Sequence, residues 1–195
     1  MTTITSLSQL DLDKHYNYND YLTWDIKEKI ELIKGKVLIT KDTPARPHQD
    51  ISQNINRILY RYFKNHPCRV YFAPFDVRLY SPSREIETVV QPDLCVVCDL
   101  DKLDTKGCLG APDLVVEILP PSNTKKEMSV KFDIYQEAGV REYWIVNPNE
   151  GTLLIYTLKD GIYIGMRPYV AGETQTAHSA IFPEMVFDVD DLFRQ

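Results

Sequence analysis

Asp93, Glu117 and Lys131 are the residues of this chain whose types and spacing could do hydrolytic chemistry. Glu117 sits in the middle of Asp113-Leu-Val-Val-Glu-Ile-Leu119, a run with the composition of a strand buried on both faces. A carboxylate buried there needs a partner. Asp113 lies four residues earlier on the same face, but four residues at roughly 3.3 Å each put the two Cα atoms about 13 Å apart, too far to share one ion. The preceding strand pattern, Gln91-Pro-Asp-Leu-Cys-Val-Val-Cys-Asp99, repeats the Pro-Asp-Leu opening. Antiparallel pairing of the two runs across the loop from Asp99 to Ala111 sets Asp93 opposite Glu117, at the strand spacing of about 4.8 Å. Parallel pairing would bring Asp93 to Asp113 instead, and needs a crossover for which the short connecting segment shows no helical stripe.

Two facing carboxylates repel, and each has its pKa raised unless a cation compensates. Lys131 is a candidate cation. It falls inside the apolar stripe of Met128, Phe132, Tyr135 and Ala138 on the helix expected after the Glu117 strand. Hard carboxylate oxygens suit Mg²⁺, with Mn²⁺ as a substitute. Such an ion polarises a phosphate and lowers the pKa of water, while a lysine positions that water or stabilises the developing charge. Taken singly, the same residues also have structural readings: Asp93 as a turn cap, Glu117 and Lys131 as an ion pair, Lys131 snorkelling to water. Taken together they have the composition that metal-assisted phosphodiester hydrolysis needs.

The surrounding pattern supplies the elements that must hold these groups. Ile30 to Ile39 reads as a hairpin turning at Lys34-Gly35, and Ile51, Ile55, Ile58, Leu59, Tyr62 and Phe63 recur at helical spacing over residues 47–63. Strand-like runs follow at 70–80, 88–98 and 113–119. A second helix begins near Thr124, with Glu127 completing a capping box, and ends at Gly139. Glu-Tyr-Trp-Ile-Val-Asn-Pro is a further buried strand, a second hairpin turns at Asp160-Gly161, and the C-terminus supplies a short strand and a helical turn. Residues 1–17 are polar and aperiodic and read as a loose arm, leaving 18–195 as one α/β (α+β) domain with a mixed sheet flanked by helices.

A formal net charge of −6 argues against coating nucleic acid by bulk electrostatics, but acidic groups that gather a metal can still serve phosphate chemistry. No signal-peptide pattern and no apolar run near the roughly 20 residues needed to cross a bilayer is visible, so a soluble cytoplasmic protein without a membrane partner is expected. The four cysteines set up no disulfide framework at this size, and Cys95-Val-Val-Cys98 reads as buried small hydrophobes.

The run VQPDLCVV…GAPDLVVEILPPSNTKKEMSVKFDIYQEAGVREYWIVNP resembles the Uma-two family of restriction endonuclease-like proteins, a branch of the PD-(D/E)XK nuclease superfamily. The resemblance extends from Trp24 to Phe193 and includes IELIKGKVL, His48 and FPEMVFDVDDLF. It implies a restriction-endonuclease-like fold and Mg²⁺-dependent DNA cleavage, with Asp93 as the superfamily aspartate and Glu117 as its glutamate. The superfamily lysine position, two residues after the glutamate, is Leu119 here, and the match lies on the following helix at Lys131. By the same resemblance Glu31 adds a carboxylate to the metal site, although the residue pattern alone reads it as an exposed hairpin glutamate. His48 matches a family position too, and is equally well read as a packed or helix-capping histidine. Asp113 fits a motif position, but the distance argument makes it a strand-edge residue. Relatives read Ser-Pro-Ser where this chain has Pro120-Pro121-Ser122, and carry aspartate at Glu127, which bears on the shape of the site rim. Cutting both strands of a duplex takes two active sites, so a homodimer is expected from the reaction. Two competing readings are a catalytically silent nuclease-fold module that binds nucleic acid or a protein, and an enzyme acting on another phosphate ester.

Overall fold

The computed structural model describes residues 3–39, 45–120 and 125–194. In chain order the elements are a short helix α1 (Tyr18–Tyr21), strands β1 (Ile30–Ile33) and β2 (Lys36–Ile39), and the long helix α2 (Arg46–Phe63). Strands β3 (Arg69–Phe72), β4 (Val77–Tyr80), β5 (Ile86–Val90), β6 (Leu94–Val97), β7 (Leu103–Asp104), β8 (Gly107–Leu109) and β9 (Leu114–Ile118) follow. Helix α3 (Lys125–Ala138) leads to β10 (Glu142–Asn147), β11 (Thr152–Lys159), β12 (Ile162–Gly165), β13 (Tyr169–Val170), β14 (Thr176–His178), β15 (Val186–Asp188) and the helical turn α4 (Asp190–Phe193).

The strands form a central sheet in the order β12-β11-β10-β9-β6-β3, with β13 on β11, a second sheet in the order β2-β1-β5-β4-β8-β7, and a separate β14-β15 pair. Within the central sheet β9 and β10 run parallel, connected through α3, while β6 and β9 run antiparallel. All five residues of β9 are buried, as a strand covered on both faces requires. One face packs on α2 through Ile51, Ile55, Leu59 and Phe63, against Leu94, Val96, Val116 and Trp144. The other packs on Ile134 and Tyr135 of α3 and on Val77, Leu79 and Val90 of the second sheet.

The runs expected as single strands at 70–80 and 88–98 are each two strands, one in either sheet. Pro74 and Pro92 lie at the breaks, where a residue without an N–H cannot continue a ladder. Within these two runs the chain therefore passes between sheets twice. β3 pairs with β6, and β4 pairs with β5, so Asp93 stands at the crossing point, immediately before β6. The two hairpin turns form as expected, with Lys34-Gly35 at φ 48° and 76° and Asp160-Gly161 at φ 51° and 79°. Gly139 closes α3 at φ 86°, with Val140 N–H donating to Tyr135 C=O at 3.0 Å. The cap expected from Thr124 and Glu127 lies outside the described residues.

Residues 3–17, expected as a loose arm, instead lie on the second sheet. Ile4 bridges to Trp24, and Leu10 and Tyr16 are buried with Tyr18, Ile30, Leu32 and Val89. These apolar residues are too irregularly spaced to show a period, yet together they cover one sheet face. The cysteines also depart from expectation, because Cys68 and Cys98 form a disulfide. The β3–β6 register pairs Arg69 with Val97, which makes Cys68 and Cys98 the next facing pair, a relation invisible at their separation in sequence. Cys95 and Cys108 remain free and buried, and burial pushes the Cys108 thiol up to about 11. Oxidised native protein should therefore show no thiol to a disulfide reagent at neutral pH, and two after unfolding.

Glu142, fully buried at the start of β10, ties the C-terminal segment to the central sheet. It accepts from Trp144 Nε1 at 2.7 Å and from the backbone N–H groups of Ala180 at 2.7 Å and Ile181 at 3.2 Å. Glu142→Ala strands these donors and should cost about 2–4 kcal/mol in urea unfolding.

Candidate functional site

The β6–β9 register pairs Leu94 with Val116, so Asp93 and Glu117 are the next facing pair. Asp93 reaches across: its Oδ2 accepts from Ile118 N–H at 2.7 Å. On the other side of the sheet junction, Glu31 of β1 is fully buried. Lys131, pointing inward from α3, lies between the two glutamates, with Nζ 2.9 Å from Glu117 Oε1 and 3.1 Å from Glu31 Oε1. His48, in the first turn of α2, places Nε2 3.3 Å from Asp93 Oδ2. Five separate segments of the chain thus bring together Asp93, Glu117, Lys131, Glu31 and His48. Asp113 is not among them. It closes the opposite end of β9, accepting from Cys98 N–H at 2.8 Å and pairing with Arg141 at 3.0 Å.

Burial raises the Glu117 carboxyl above its ordinary range, while the Lys131 charge pulls it back and Asp93 and Glu31 push it further up. For Lys131, burial disfavours the ammonium, but the Glu117 and Glu31 carboxylates outweigh it and hold the proton on Nζ. Burial also works against the Asp93 carboxylate. The hydrogen bond and charge of His48, with the Ile118 N–H, more than offset that and lower its pKa. The site therefore keeps charge inside the protein by surrounding each group with partners.

Two further residues take part that the residue pattern did not single out for chemistry. Tyr135 O–H donates to Glu117 Oε1 at 2.6 Å, and the backbone N–H of Gln91 donates to Glu31 Oε1 at 2.9 Å. Tyr135 carried a usable signal, since it lies one helical turn after Lys131 on the same face. Gln91 carried none, because its contribution comes from the backbone. In front of Asp93 opens a cleft of about 540 Å³, lined by His48, Trp24, Lys29, Phe72 and Gln91 among others.

The family model for "Putative restriction endonuclease", Uma2, matches residues 18–190. The chain belongs to the Uma2 family. Among curated proteins none is significantly similar to this Uma2 chain. A solved structure of a putative nuclease from Anabaena variabilis superimposes with a TM-score of 0.68 at 19% identity, covering 91% of this chain and 97% of that one. At that identity the likeness concerns the fold, a mixed α+β nuclease-like architecture.

A divalent cation can be tested against the Uma2 donor set directly. Among the described residues no three His, Cys, Asp or Glu side chains close around a point that could hold a metal. Glu31, expected as a third ligand, has its Oε1 engaged by Lys131 and Gln91, and its Oε2 is buried without a partner among the described residues. Asp93 and Glu117 face each other across β6 and β9, and Mg²⁺ commonly uses only one or two carboxylates and takes its other oxygens from water and substrate phosphate. No helix among the described residues is long and apolar enough to cross a membrane.

Proposed function

We propose that the chain is a divalent-metal-dependent endodeoxyribonuclease in which Asp93 and Glu117 hold Mg²⁺ and Lys131 serves the attacking water. The observation that carries this reading is the facing register of Asp93 and Glu117 with Lys131 Nζ 2.9 Å from the glutamate. The ion, when bound, supplies positive charge to the scissile phosphate and acidifies water. The Lys131 charge offsets part of the cost of burying the Glu117 carboxylate, and with two of its three donors directed to Glu117 and Glu31 it retains one to orient a water. Glu31 acts through Lys131 by fixing that ammonium. His48 restrains Asp93 from the cleft side and, with the Ile118 N–H, sets the direction of its carboxylate.

DNA offered both as duplex plasmid and as a single-stranded circle should be cut in one form or both in Mg²⁺ or Mn²⁺ and left intact in EDTA. A homodimer would put two such sites on one duplex, and linear product without accumulated nicked circle is its expected sign. One observation favours the silent-module reading: Glu117 is only 8% exposed, and its Oε1 is already shared by Lys131 and Tyr135. DNA binding without cleavage in either metal would select that reading.

A further inference from the structure

We propose that the cleft in front of Asp93 receives an unpaired nucleotide, so that the substrate is single-stranded or locally unpaired DNA in preference to intact duplex. This rests on the nuclease reading above and narrows its substrate. The cleft is bounded by the segment before β1, the first turns of α2 and the end of β3, with Asp93 among its lining residues. At about 540 Å³ it has the size of a small-ligand pocket, enough to hold a single nucleotide.

The walls carry the two chemistries that hold unpaired nucleic acid, aromatic faces and cations. Tyr21 and Trp24 are among the lining residues, their rings 5.4 Å apart. Phe72 also lines the cleft; it is the last residue of the edge strand β3, is 60% exposed and has no aromatic partner among the described residues. A phenylalanine this exposed at a cleft wall offers a free face for stacking. Lys27 and Lys29 line the same cleft, with Glu28 between them in sequence and Asp93 as the other lining carboxylate. Neither lysine lies within ion-pair distance of an acidic group among the described residues, and Lys29 Nζ donates to the Gln91 carbonyl at 3.0 Å. Glu117 lies behind Asp93 and is nearly closed to solvent, so the phosphate to be cut must enter the cleft. Paired bases on both sides would hold that phosphate outside, whereas an unstacked base seated against Phe72 draws its backbone inward.

The test is binding in EDTA, where cleavage is blocked, of one oligonucleotide containing 2-aminopurine, presented as a single strand and as a duplex. The single strand is expected to bind about tenfold or more tighter than the duplex, with a change in 2-aminopurine emission on stacking. Phe72→Ala should weaken single-strand binding about tenfold, the usual scale for removing one stacking ring, and leave thermal unfolding unchanged because the ring is exposed. Equal affinity for both forms, no binding to either, or wild-type affinity in Phe72→Ala overturns the inference, and leaves the nuclease reading to the plasmid assay. A single-strand preference in a protein that cuts nothing would sustain the cleft assignment and remove the nuclease reading.

Discussion

Replacing Lys131 with methionine should destabilise the protein by about 3–5 kcal/mol, the cost of leaving buried charges without their partner. Lys131 Nζ is the cation within hydrogen-bonding distance of both Glu31 and Glu117. Methionine keeps most of the stem's volume, so the loss reports the charge and not a cavity. The two glutamates, one fully buried and the other nearly so, would then repel across the gap and protonate. A divalent cation that reaches Glu117 past Asp93 would relieve part of that repulsion, so the variant should gain more stability from millimolar Mg²⁺ than the wild type does. Urea unfolding with and without Mg²⁺ measures both effects. A loss under about 1 kcal/mol would mean that the buried triad contributes little to the fold.

The largest effect on activity is expected from Asp93→Asn and Glu117→Gln. Both are isosteric and remove charge while keeping an acceptor oxygen. The amide oxygen introduced at position 93 can still accept from Ile118 N–H, and the one introduced at position 117 from Tyr135 O–H, contacts that the native carboxylates make at 2.7 and 2.6 Å. Each variant should lower Mg²⁺-dependent cleavage by roughly 10²–10³-fold, the scale for removing one preorganised electrostatic group. Melting followed by circular dichroism should show that both still fold. Wild-type cleavage by Glu117→Gln would remove the glutamate from the chemistry.

What could be read in advance follows from which forces are local. The pairing of Asp93 with Glu117 was legible because side-chain alternation and strand spacing are fixed by backbone geometry, and the segment from Asp99 to Ala111, with no helical stripe for a crossover, pointed to antiparallel pairing. The inward position of Lys131 followed from helical periodicity alone. The splitting of both long strand runs between two sheets was not legible, although Pro74 and Pro92 mark the breaks, because period-2 patterning continues through a proline that changes the partner strand. Glu31 was reachable only by resemblance, since a hairpin glutamate is buried or exposed according to which sheet covers it. The packing of Leu10 and Tyr16, the facing of Cys68 and Cys98, and the Gln91 contact with Glu31 depend on tertiary approach between distant segments, which no local pattern encodes.

Calorimetric titration of Mn²⁺ into the wild-type protein and into Asp93→Asn tests most directly whether the facing carboxylates form a metal site. One ion bound per chain in the wild type, with binding lost or weakened at least about tenfold in the variant, is the expected result. Absence of binding in the wild type, or equal binding by both proteins, would contradict the assignment of Asp93 and Glu117 as the ligands of a catalytic cation.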